Sequence, residues 1–177
     1  MLNNLEIYIL LFFSYSFIGW LMEVFVKLIQ YKRFINRGFL IGPYCPIYGW
    51  GAILITLLLK KYLNDPFVLF VFGMLICSIL EYTTSYFMEK IFNARWWDYS
   101  TKRFNINGRI CLETMIPFGL LGMIIMYVIN PFLINIYKSI NLTLMTSICF
   151  GSIIIYITDN ILSIIALNLV KNDGDLS

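Results

Sequence analysis

Residues 66–88 read PFVLFVFGMLICSILEYTTSYFM, and the reading of this stretch decides the fold. An apolar run of about 20 residues, wound as a helix, matches the thickness of a bilayer's hydrocarbon core. Glu81 is the one formal charge inside it. Working outward, similar runs occupy Glu6 to Leu28, Ile110 to Ile129 and Leu142 to Leu169. The last is long enough that it must tilt, kink or leave the hydrocarbon at one end. A fifth run, Phe39 to Leu59, opens with GFLIGPYCPIYGWG (residues 38–51), whose glycines and prolines unravel an isolated helix. Such backbone survives at membrane depth only when buried in protein or facing a wet cavity. A broken or re-entrant entry is therefore predicted, followed by regular helix from about Ile47. The expected fold is an all-α, polytopic membrane helical bundle of about five transmembrane spans. It forms a single integral membrane domain over 1–177, with a loop at 89–109 and a short tail at 170–177.

Composition agrees. The 177 residues are 60% hydrophobic and only 13% charged, with a mean hydropathy of +0.79. A soluble domain is about 25% charged, so this chain cannot cover a water-facing surface. The net charge of +3 is modest and its basic residues flank apolar segments, which disfavours nucleic-acid binding. With no histidine, His-based triads and His metal sites are excluded. Cys45, Cys77, Cys111 and Cys149 stand far apart, so no CxxC redox or zinc pair forms. No phosphate-binding GxxxxGK[ST] loop occurs, so this chain does not hydrolyse ATP by itself. The first basic residue is Lys27, so the first apolar segment lacks the positive start of a cleaved signal and is expected to stay attached. No cofactor is implied.

Loop charges set an expected orientation. Lys27, Lys32, Arg33 and Arg37 follow the first span, Lys90, Arg95, Lys102, Arg103 and Arg109 follow the third, and Lys171 lies in the tail. Only Lys60, Lys61 and Lys138 fall on the other side. The positive-inside rule then places the N-terminus outside and the C-terminus in the cytoplasm of a bacterial inner membrane.

Four carboxylates lie within apolar segments: Glu23, Glu81, Glu113 and Asp159. An acid facing lipid at a helix centre costs ~2.5–3.5 kcal/mol on insertion scales, so these should face the bundle interior, pair with bases or carry protons. Ser16, Gly19, Glu23 and Lys27 share one helical face, as do Gly73, Cys77, Glu81, Ser85 and Glu89, and Ser152, Tyr156, Asp159 and Ser163. Small and polar residues at such spacing let membrane helices approach and hydrogen-bond, so packing alone accounts for most of them. Arg109 and Glu113, one turn apart, can pair directly. Glu113 also suits the positive end of a helix dipole. Asp159 stands far from any base in sequence and is a candidate proton carrier.

The loop IFNARWWDYSTKRFNINGR (residues 91–109) packs Arg95, Trp96, Trp97, Asp98 and Tyr99 together and ends in an Asn107-Gly108 turn that accepts positive φ. Aromatic rings beside cations are common at the headgroup layer. Arg37, Arg95 and Arg109 could hold an anion, or neutralise Glu23, Glu81 and Glu113; the second needs no ligand.

Three blocks then stand out: SFIGWLMEV (16–24), NRGFLIGPYCPIYGWG (36–51) and EYTTSYFMEKIFNARWWDYSTKRFNINGRICL (81–112). Together, over roughly residues 5 to 125, they resemble a bacterial family of CmpB-like, ABC-transporter type IV permeases. Matching positions include Gly19, Trp20, Glu23, Arg37, Gly42, Pro43, Tyr48, Glu81, Glu89, Trp97, Asp98, Tyr99, Asn105, Asn107, Gly108 and Arg109. The resemblance implies a small permease-like transport subunit, and the four acids, placed toward the cytoplasmic half, give it a cytoplasm-facing polar vestibule. It also implies a separate ATPase subunit, docking on the 89–109 loop, and a homodimer or second membrane subunit, besides membrane lipids. The candidate substrate-binding set is Glu23, Arg37, Tyr48, Glu81, Trp97, Asp98, Tyr99, Asn107, Arg109 and Glu113. Two other classes stay open: a membrane enzyme or binding protein for a lipid or polyprenyl phosphate, and a non-transporting assembly or sensor protein.

Overall fold

The computed structural model describes residues 2–36 and 38–174, with side chains over 5–36 and 38–169. Arg37 and the tail beyond 174 lie outside the described residues. Among them the chain is a helical bundle with one two-stranded hairpin: α1 Leu2–Tyr31, α2 Pro46–Leu59, α3 Pro66–Phe92, β1 Asn105–Ile106, β2 Ile110–Cys111, α4 Leu112–Ile124, α5 Asn130–Ser139 and α6 Leu142–Gly174. Four helical stretches are long and apolar enough to cross a membrane: Leu5–Tyr31, Pro66–Phe92, Leu112–Ser139 and Leu142–Leu169. The second predicted segment differs. Its Gly/Pro-rich start is not helical, and α2, with 14 residues, is shorter than the ~20 that cross a bilayer unaided.

The fourth stretch was expected to end at Ile129, before Asn130-Pro131. Instead it continues to Ser139. Pro131 has no N–H, and its ring would clash with the carbonyl one turn back. A widened π-type turn over Ile125–Ile129 re-spaces the ladder and carries the helix past it. Asn130 is buried there and donates its amide to Thr56 Oγ1 at 2.8 Å.

The chain divides into two compact units. The first holds residues 1–46 and 137–177, and its centre is the pair α1 and α6. Leu10, Leu11, Tyr15 and Ser16 of α1 and Met145, Cys149 and Ser163 of α6 are buried. Phe12 and Phe13 meet Tyr156 edge-on, each at 5.8 Å. Glu6 is also buried, and its carboxylate accepts from the Thr146 hydroxyl.

The second unit spans 47–136 and is built on α3 against α4. Asp65 caps α3 by accepting from the Val68 N–H at 3.1 Å, with Pro66 at the first helical position. Ile55, Leu59, Leu69 and Met126 form its core. Glycines bring the two long helices close: a Cβ on Gly119 would lie 2.7 Å from the Phe70 ring and 3.1 Å from its carbonyl oxygen. A Cβ on Gly122 would stand 3.8 Å from the Gly73 Cα. This register sets α4's first residue, Leu112, level with about residues 80–83 of α3. The last turns of α3 therefore run on beyond the start of α4, and the hairpin lies alongside them.

Candidate functional site

The hairpin forms because Asn107-Gly108 can turn. Asn107 has φ 54° and Gly108 φ 68°, and the Arg109 N–H closes the turn on the Ile106 carbonyl at 3.0 Å. Antiparallel pairing of Asn105 with Cys111 and Ile106 with Ile110 follows. The residues before it fold onto this frame. Tyr99 N–H donates to the Gly108 carbonyl at 2.7 Å, and Trp97 Nε1 donates to the Arg109 carbonyl at 3.1 Å. Asn105 Oδ1 accepts from Gly108 N–H at 2.9 Å, while its amide donates to the Lys102 carbonyl at 2.7 Å. Gly108 is buried so tightly that a Cβ would lie 2.6 Å from Asp98 Oδ1.

This folded loop is fastened to α3 by charges. Glu89 accepts from Arg109 Nη2 at 2.7 Å and from Arg95 Nη2 at 3.1 Å. Arg109 also donates to Ser85 Oγ at 3.2 Å, and its guanidinium stands over the Tyr86 and Tyr82 rings at 5.4 and 5.8 Å. Only 11% of the Arg109 side chain is exposed, so the fork, the hydroxyl and the rings replace the water it gives up. Farther along α3, Tyr99 donates its hydroxyl to buried Glu81 at 3.1 Å, and Asn107 donates to the Tyr82 hydroxyl at 2.8 Å. Asp98 accepts from Ser100 N–H at 2.9 Å and from Arg95 at 3.3 Å; that N–H, aided by Arg95, holds its carboxyl below the usual range. Glu89 raises the pKa of Arg95, and Glu113, 2.7 Å away, raises that of Lys102.

In the other unit the irregular entry is held by backbone donors finding acceptors. Gly42 N–H donates to Asp159 Oδ2 at 3.1 Å, Ile41 N–H to Ser163 Oγ at 3.1 Å, and Cys45 N–H to the Ser16 carbonyl at 2.8 Å. Trp20 Nε1 donates to Asn36 Oδ1 at 2.7 Å, and the Asn36 amide to the Ile41 carbonyl at 3.0 Å. Non-helical N–H groups beside apolar helices need such partners. Asp159 thus has a structural occupation that its isolation in sequence concealed.

Six of the predicted residues come together: Glu81, Trp97, Asp98, Tyr99, Asn107 and Arg109. Two expected pairings are corrected. Arg109 sits in the hairpin, outside α4, so it meets Glu89 rather than Glu113, whose partner is Lys102. Arg95 likewise goes to Glu89 and Asp98, not to Glu81 or Glu23. Tyr48 packs its ring against Phe118 at 6.4 Å. Glu23 and Asp159 belong to the first unit, on α1 and α6. Glu89 is the functional candidate the sequence reading passed over. Its signal was there: it lies on the same α3 face as Glu81 and Ser85.

The model of the family described as "Putative ABC-transporter type IV" matches residues 10–164. The match takes in α6 as far as residue 164, with Asp159, beyond the three blocks singled out above. No curated protein and no solved structure matches the chain. With four helices of spanning length, it is a multi-pass membrane protein related to transport.

Proposed function

Because the chain belongs to that ABC-transporter type IV family, we propose that it is a permease-like subunit whose 89–109 loop receives a separate ATPase on the cytoplasmic side. The observation that carries this reading is the Glu89 clamp. It makes the loop a rigid extension of α3, so a push on the loop moves a membrane helix instead of a flexible tether. Proposed contacts for the ATPase are the exposed residues just past α3, Asn93 to Arg95.

The orientation belongs to the same proposal. Lys90 to Arg109 and Lys27 to Arg37 fall on one side only if the segment between α1 and α3 crosses the membrane. At 1.5 Å per residue α2 spans about 21 Å, and the non-helical residues before it would supply the remaining ~9 Å of a hydrocarbon core. A bacterial inner membrane, an outer N-terminus and a single integral membrane domain complete the reading. Glu81 and Arg109 border its cytoplasm-facing vestibule.

The phosphate-binding enzyme reading loses ground, because Arg95 and Arg109 are already paired with Glu89 and Asp98. The clamp equally suits a non-transporting assembly protein. Gentle purification from native membranes with mass spectrometry separates them: a stoichiometric ATPase supports the permease subunit. A lone chain or homodimer removes it and leaves the assembly role.

A further inference from the structure

We infer that the stretch entering the hairpin, Arg103 to Ile106, is a lipid-docking element that seats in the headgroup layer of an anionic leaflet. Phe104 is 78% exposed and Ile106 53% exposed. Phe104 also holds φ +51°, a conformation bulky L-residues rarely adopt. The Asn105 amide imposes it by closing the turn on the Lys102 and Ser100 carbonyls at 2.7 and 3.3 Å, and the ring is turned outward. An apolar ring held in a strained backbone gains nothing in water; strain of this kind persists where a partner uses it.

Depth and charge choose the partner. Asn107 binds Tyr82, and Arg109 binds Ser85 and Glu89, so the hairpin lies beside residues 82–89 of α3. From Ser85 the helix runs on to Phe92, about 10 Å farther. If the first ~20 residues of α3 fill the hydrocarbon, this stretch stands at its edge, while a soluble protein meets residues 90–96 first. Exposed Arg103 adjoins the Phe104 ring in sequence, and Lys102, shared with Glu113, precedes it. An apolar ring beside cations at this depth fits anionic headgroups. The inference rests on the membrane reading and is independent of transport.

The test is hydrogen exchange of residues 100–108 in the full chain, in nanodiscs of phosphatidylcholine alone or with phosphatidylglycerol. Exchange should slow with phosphatidylglycerol, by about fivefold for each basic residue engaged. Phe104→Asn should abolish that protection while residues 109–112 keep theirs, since asparagine tolerates positive φ and the fold survives. Arg103→Gln should reduce the lipid difference by about fivefold. Equal exchange in both lipids, or a lipid difference that Phe104→Asn leaves intact, would overturn the inference. Protection appearing only when a soluble protein is added would assign Arg103 to Ile106 to that partner instead.

Discussion

Arg109, the last residue of the hairpin turn, places its guanidinium 2.7 Å from Glu89 in the last turn of α3, and one ion pair thereby joins loop to membrane helix. Arg95 reaches the same carboxylate from the other end of the loop. Several consequences are measurable.

Glu89→Gln removes the charge that both arginines share and leaves the largely enclosed Arg109 with Ser85 and two rings. Truncating one partner of an enclosed pair costs more than the pair contributes, because the other charge stays behind. Hydrogen exchange across 95–111 should rise severalfold, with α1 and α6 unchanged. Arg109→Lys should fall between, having charge but no fork to reach Ser85 and Glu89 together.

Gly108→Ala forces a side chain into φ +68° and against Asp98 Oδ1, which the Ser100 N–H and Arg95 hold in place. A loss of ~1–3 kcal/mol is expected in thermal or denaturant unfolding. The same substitution at Gly151, where nothing lies within 4 Å, should be neutral or better.

How much of this was readable beforehand depends on where each partner sits. The apolar run at 66–88 and the Asn107-Gly108 turn are local signals, and both elements formed as expected. Asn130-Pro131 also looks local, as a stop, yet a single widened turn let tertiary packing carry the helix through. The pairing of Arg109 was not readable. Its neighbour in sequence is Glu113, while its partner in space depends on the hairpin folding back along α3. Asp159 seemed isolated because its partner is a backbone N–H, which no residue letter reveals.

Asp159→Asn keeps an oxygen for the Gly42 N–H, whereas Asp159→Ala removes it. Leaving that donor unsatisfied costs ~1–3 kcal/mol, so the alanine variant should unfold earlier and the asparagine variant should not. If asparagine proves as damaging as alanine, the charge itself matters to the fold.

Acid should weaken the loop with a defined sign. The Asp98 carboxyl titrates below its usual 3.8, chiefly because of the Ser100 N–H. A depressed native pKa contributes stability that is present above the unfolded value and lost as pH falls through the native one. Loop protection in the native chain should therefore exceed that of Asp98→Asn between pH 5 and 7. The difference should begin to shrink below about 3.8 and disappear once the pH has fallen through the lower native value.

The claim that the clamped loop receives an ATPase is tested most directly by a photoreactive residue at Ala94, exposed just past α3, in native membranes. Crosslinking to a nucleotide-hydrolysing protein, diminished by Glu89→Gln, is the expected result. Crosslinks only to lipid or to a second copy of the chain would contradict it.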